Sequence, residues 1–294
     1  MSLNKLDAAR IGAPGRLGLI AGEPVHVPDS HTISTTIRYN LMPGTDRRLF
    51  LLNADGAWES LEITVDQSFP QTPPTANKLH SIWLYNNSGT LALAKDEWTS
   101  DTVIGASAAW TEVDGVRVKN TDNTRRLAGV MRTQSSQNFI IGGAMNGIWN
   151  CNNKIPRRIT IHNQAGSHTY NVANTWRDYN NGAGNTVDST WGLTNVGIVC
   201  GEREPFVVDA QNTVFSDTAN GSVRLGIRYA SAAGGFDDMG RTNSNANWPE
   251  HVSVQHSDTG TVGYSQIHLT ERISSGTVGS FDHGFLGMHG FVWG

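Results

Sequence analysis

The chain has 294 residues, 32 of them glycine; 16% are Asp, Glu, Lys or Arg, and the formal net charge is -4. Charged residues average roughly 25% in soluble proteins; here Gly, Asn, Ser and Thr take their place, which suits tight turns and opposes long helices. No Lys/Arg run exceeds two residues and no apolar run approaches the roughly 18 residues of a membrane span, which argues against an electrostatic nucleic-acid footprint and against membrane insertion.

No apolar segment of a secretory leader follows Met1, and Cys151 and Cys200 do not make a disulfide scaffold. Synthesis in a bacterial cytoplasm and folding without disulfides is therefore expected. Residues 1–25 read as an attachment arm. Ile11, Leu17, Leu19 and Ile20 lie among glycines without a clear period, too few to bury a core. Such an arm lies across a neighbouring subunit or is a loose end; a short helix over Leu3 to Arg10 is one option for its start.

Residues 26–133 read as a β module. Thr36 to Leu41 alternates with period two, and Arg48 to Leu52 leads through Asn53-Ala54-Asp55-Gly56 into Ala57 to Glu59, a hairpin with Asp-Gly at its turn. Phe69 to Thr75, with three prolines, reads as a stiff extended loop. Leu79 to Tyr85 turns at Asn86-Asn87-Ser88-Gly89 into Thr90 to Leu93. After a loop from Glu97 to Thr102 come Asp114 to Lys119 and then Thr124 to Thr133.

Residues 134–294 continue the alternation. Strands are predicted around 158–161, 168–172, 195–199, 206–208, 223–229, 251–254 and 265–269, separated by Gly, Asn and Asp turns. The fold class is therefore all-β: a β-hairpin module followed by a β-sandwich or jelly-roll-like domain, with nothing repeating at a fixed period. Trp58, Trp83, Trp149 and Trp293 sit in or beside apolar runs and read as core. The apolar end, Phe285 to Trp293, reads as tucked into a core or a subunit contact.

The hairpin order from Lys78 to Thr133 resembles a module of structural proteins of tailed bacteriophages: head fibres, head spikes, tail fibres and other virion appendages. The similarity extends more loosely to residues 30–294, through Trp149-Asn150-Cys151-Asn152-Asn153-Lys154-Ile155-Pro156-Arg157, Thr175-Trp176-Arg177 and Val223-Arg224-Leu225-Gly226-Ile227. Leu127, Cys151 and Asn152 stand where aromatics are usual, and Lys154 where Arg is usual. The resemblance implies a virion component at the particle surface, whether of a phage or of a phage-derived gene transfer agent. Its partners would be capsid or tail proteins and its own copies, as a trimer or as a pentamer at a vertex. It supplies no catalytic residues.

Chemistry legible in the residues is sparse. No His-x-His occurs; His251 with His256 falls on opposite strand faces and His283 with His289 spans about 20 Å, so no metal is expected. Glu202 with Glu204, and Asp237 with Asp238, are carboxylate pairs. Arg203 and Pro205 favour a solvated turn for the first, and no hydrolase or cofactor motif accompanies either. We therefore expect no catalytic residues, no cofactor and no enzyme, with a polysaccharide depolymerase as the alternative. Two clusters join aromatics to Asn, Asp and Arg as a glycan site does: Trp176 with Tyr179, and Phe236 and Asp237 with Trp248 at the ends of a long polar insertion. These five residues are the expected contacts to host surface polysaccharide, in a receptor-facing half after Gln134.

Overall fold

The computed structural model describes residues 13–24, 32–72, 74–142, 145–162, 168–178, 195–217, 221–229, 238–244, 250–274 and 279–293. All regular structure among them is β, and the expected helix near the start lies outside the described residues.

The hairpins that carry the resemblance form one antiparallel sheet. Its order is Thr90–Glu97, Leu79–Asn87, Asp122–Arg132, Val116–Lys119, Trp110–Val113, with Ile148–Asn150 also against Asp122–Arg132. Its tight turns are the ones their residues demand. Ser88 and Gly89 have φ of 54° and 90°, and Asp114 and Gly115 of 51° and 79°, the doubly positive pattern that matches strand twist in a two-residue loop. Arg48–Leu52 pairs with Trp58–Glu62 in a separate hairpin, where Asn53 Oδ1 accepts from the Asp55 and Ala57 amides at 3.0 and 2.9 Å.

Residues 13–20 are not a free arm. Gly15–Gly18 is a strand paired with Thr36–Leu41, and Ala13, Leu17 and Leu19 are buried in one core with Ile37, Tyr39, Leu49, Ile82, Met131 and Phe139. Side chains tie the segment down as well. The Leu17 amide donates to Asn150 Oδ1 at 2.7 Å, Arg16 donates to the Asn153 carbonyl at 2.5 Å, and Asn153 returns a bond to the Ala13 carbonyl at 2.5 Å. Leu17 and Leu19 therefore stabilise this chain's own core and are closed to another protein. Ile20 is half-buried beside them, and Ile11 lies outside the described residues.

The later residues form two facing sheets. One has the order Met145–Asn146, Asn195–Cys200, Gly263–Ile273, Gly221–Tyr229, Asp238–Ser244; the other has Pro156–His162, Gly279–Trp293, Pro205–Ser216, Glu250–Thr259. Between them lies an aliphatic core that includes Ile159, Val196, Val208, Leu225, Val254, Ile267, Met288 and Val292. This is a β-sandwich; Pro205–Ser216 and Glu250–Thr259 alternate between a buried inner and a more exposed outer face, whereas Asn195–Cys200 is buried on both. His251 is exposed and His256 buried on one strand, as their odd spacing requires.

A third cluster joins the two parts. Trp83, Trp98, Leu127, Val130 and Trp149 from the hairpin sheet pack with Val199, and partly with Val262 and Tyr264, from the sandwich. Trp98, read as part of a loop, is a core residue whose Nε1 donates to Ser81 Oγ at 2.9 Å. Two tryptophans read as core depart from that. Trp58 is half-buried, and Trp293 is 41% exposed because the last strand turns Val292 inward and Trp293 outward. The insertion before Trp248, read as a polar loop, contains the strand Asp238–Ser244, which pairs with Gly221–Tyr229. It is an edge strand with few apolar residues, so period two was invisible in it.

Candidate functional site

Of the expected glycan contacts, Trp176 is described; Tyr179, Phe236, Asp237 and Trp248 lie outside the described residues. Trp176 is half-buried, with the Arg272 guanidinium 5.9 Å from its ring centroid. The next two residues form a short strand against Thr270 and Glu271. There Arg177 lies 3.9 Å from the Tyr170 ring centroid and pairs with the fully buried Glu271 at 2.5 Å. Asp178 pairs with Arg228 at 2.7 Å and lies 3.5 Å from His268. His268 beside it and the charge of Arg228 hold its carboxyl below the usual carboxylate range, against the effect of burial. These pairs pin Trp176 to the sandwich edge with one face under Arg272.

A second site lies where hairpin sheet and sandwich meet. A cavity of about 180 Å³ is lined by Glu112, Gly115, Val116, Arg117, Arg126, Cys151, Asn152, Lys154 and Glu202. Arg117 comes from the strand Val116–Lys119, Arg126 from Asp122–Arg132, Cys151 to Lys154 from the chain after Ile148–Asn150, and Glu202 from the turn after Asn195–Cys200.

Its charges are ordered around Trp149. Glu202 is bonded by both Arg117 and Lys154; Arg117 also reaches Glu112 at 3.5 Å, and Lys154 reaches Glu204 at 2.6 Å. Arg117 and Lys154 lie 5.8 and 5.2 Å from the Trp149 ring centroid, and the indole Nε1 donates to Glu204 at 3.4 Å. The Cys151 thiol is 3.7 Å from Arg117; burial raises its pKa, and Arg117 opposes that. Glu202 and Glu204 are therefore not a solvated turn. Glu204 is buried, and both carboxylates are committed to Lys154.

Arg126 stands apart. It is 3% exposed; its Nη1 donates to the Phe50 carbonyl at 3.0 Å and its Nη2 lies 3.5 Å from Asn152 Oδ1. Its Nε has no hydrogen-bond partner, and no carboxylate among the described residues pairs with it. Burial lowers its pKa. Sequence reasoning missed this site, because Arg117 and Glu202 are 85 residues apart and only folding brings them together. The single hint was the Trp149 to Arg157 segment in the resemblance. Among the described residues no group of three or more His, Cys, Asp or Glu converges as metal ligands.

No protein-family model and no curated protein matches this sequence. Among solved structures, the chain is similar to Eiger TNF from S. frugiperda, with 13% identity over 47% of this chain and 91% of that one, at a TM-score of 0.31. It is also similar to infectious bursal disease virus Gx strain, with 13% identity, 92% and 79% coverage and a TM-score of 0.30. A glycoside hydrolase family 43 arabinoxylan arabinofuranohydrolase from Bacillus subtilis shows 11% identity, 92% and 68% coverage and a TM-score of 0.25. No functional residue is carried over from them.

Proposed function

We propose that this chain is a structural protein of a tailed-phage-type particle, a head spike, head fibre or tail fibre that binds host surface glycan and aids adsorption. The observation that carries the reading is the hairpin order from Lys78 to Thr133, whose strands form one continuous sheet closed by Ile148–Asn150. The adjoining segment Cys151 to Lys154, also part of the resemblance, lines a polar cavity. A surface of charged and amide groups around a small cavity suits a polyhydroxylated ligand, which needs directional partners more than apolar area.

In this reading the protein is not an enzyme. A glycosidase needs one carboxyl group as proton donor and a second as base or nucleophile across an open sugar site. Glu202 and Glu204 share one ammonium instead. Its partners are capsid or tail proteins, further copies of itself and host polysaccharide, and its place is the particle surface. Mass spectrometry of purified particles should find the chain. Host polysaccharide incubated with the protein should be retained by it and release no new reducing ends. Reducing ends would establish the depolymerase instead, and particles lacking the chain would remove the virion assignment.

A further inference from the structure

The cavity between hairpin sheet and sandwich contains one charge that the fold leaves unanswered. Its lining carries Arg117, Arg126 and Lys154 with Glu112 and Glu202, and Glu204 beside it also pairs with Lys154. All three carboxylates are engaged by Arg117 and Lys154. Among the described residues Arg126 is a buried cation held by a carbonyl and the Asn152 amide oxygen, with no carboxylate and with Nε unpartnered. A buried charge without a counter-ion is costly, and buried ions are ordinarily paired or neutralised. Arginine keeps its proton, so neutralisation has to come from an anion.

The space limits what that anion belongs to. A cavity of 150 Å³ accommodates a benzene ring in a well-studied apolar case; 180 Å³, open to solvent and with polar walls, takes in the carboxylate end of one substituted six-membered ring and leaves the rest at the mouth. The Asn152 side chain and the Glu202 and Glu112 carboxylates, beside the cations, provide both acceptors and donors for hydroxyl groups.

We propose that this cavity recognises a single acidic sugar, a hexuronate-type pyranose whose carboxylate pairs with Arg126 while its hydroxyls bond Asn152, Glu202 and Lys154. The identity of the sugar class rests on the glycan-binding reading above; the anion preference rests on Arg126 alone. The intact protein should bind glucuronate at least about tenfold more tightly than glucose in calorimetric titration, as charged hydrogen bonds outweigh neutral ones. Acetate should bind more weakly than glucuronate, because it fills only the anion position.

Removing Arg126 also removes its bond to Phe50, so the decisive variant is Asn152→Asp. It sets a carboxylate beside the same guanidinium, and should raise the melting temperature while weakening glucuronate about tenfold or more. Equal binding of glucose and glucuronate, equal binding of acetate and glucuronate, or unchanged glucuronate binding by Asn152→Asp would each overturn the inference. Host polysaccharide retained equally by wild type and Asn152→Asp would overturn this inference and leave the glycan-binding function intact. Glucuronate bound while host polysaccharide is not retained would keep the cavity site and remove that function.

Discussion

His80 is 2% exposed, has neither ring nitrogen hydrogen-bonded, and meets Phe139 edge-on at 5.8 Å between centroids. Burial pushes its pKa down from 6.5 to about 4, with Glu97 opposing the shift. The unfolded chain therefore takes up a proton near pH 6.5 that the folded chain refuses until about pH 4. Between those values the unfolded state binds more protons, so stability is lost as pH falls through this window. A shift of this size is worth up to about 3 kcal/mol. His80→Leu should keep the fold and flatten the loss of denaturation midpoint between those two pH values relative to wild type. An unchanged pH slope would show that His80 is solvated. Ten histidines were legible in the sequence, but their spacing spoke only to metal binding; burial without a partner depends on what packs around the ring.

At the scale of elements, Asp122–Arg132 is the strand on which the hairpin sheet depends, since it pairs with three others. Gly129 lets it do so. A Cβ there would lie 2.1 Å from the Trp149 carbonyl oxygen and 2.9 Å from Leu17 Cδ1. The carbonyl is backbone in a paired strand and cannot retreat cheaply. Gly129→Ala should therefore cost more than the roughly 1 kcal/mol of an ordinary substitution, on the order of 3 kcal/mol by urea denaturation. A cost under about 1 kcal/mol would mean that Ile148–Asn150 is not held against this strand. Elements with a strong local signal were legible: Thr36–Leu41 is the strand its alternation predicts, and Arg48–Leu52 is the hairpin arm its Asp-Gly turn predicts. Pro205–Ser216 was read as three residues because its inner face carries Ala210 and Asn212, which are buried yet do not look like a stripe of core residues. The edge strand Asp238–Ser244 lacked a stripe altogether.

For the whole molecule, two clasps hold hairpin sheet and sandwich together. On one side Arg117 and Lys154 meet Glu202 and Glu204. On the other, Arg132 pairs with Asp101 at 3.3 Å and lies 3.8 Å from the Tyr264 ring centroid, while the Tyr264 amide donates to the Asp101 carbonyl at 2.7 Å. The last strand leaves Phe291 50% and Trp293 41% exposed, and Val207 lies across from Phe291 on the neighbouring strand. Two large exposed side chains in one row are better covered by another copy than by water. The protein is expected to form a symmetric oligomer, a trimer or a vertex pentamer, and Phe291→Ser with Trp293→Ser should dissociate it without changing its far-UV spectrum. Light scattering that finds a stable monomer of the wild type at micromolar concentration would refute this.

The all-β class was decided locally: glycine and asparagine at the turns, period two in the strands and no sustained helical stripe act within a few residues, so the linear order suffices to show them. The hairpin at Ser88-Gly89 is legible for the same reason, because a two-residue loop with positive φ needs those residues and no distant partner; the like turn at Asp114-Gly115 was passed over because Trp110–Val113 before it carries no apolar stripe. Whether Leu17 and Leu19 docked another protein or filled this chain's own core was a question of what waited for them, and Tyr39, Met131 and Phe139 are 22 or more positions away from Leu17. The cavity around Arg126 is the same kind of fact. Charge, burial and the lack of a counter-ion among the described residues are properties of a place, and that place exists only where strands from the hairpin sheet and a turn of the sandwich come together.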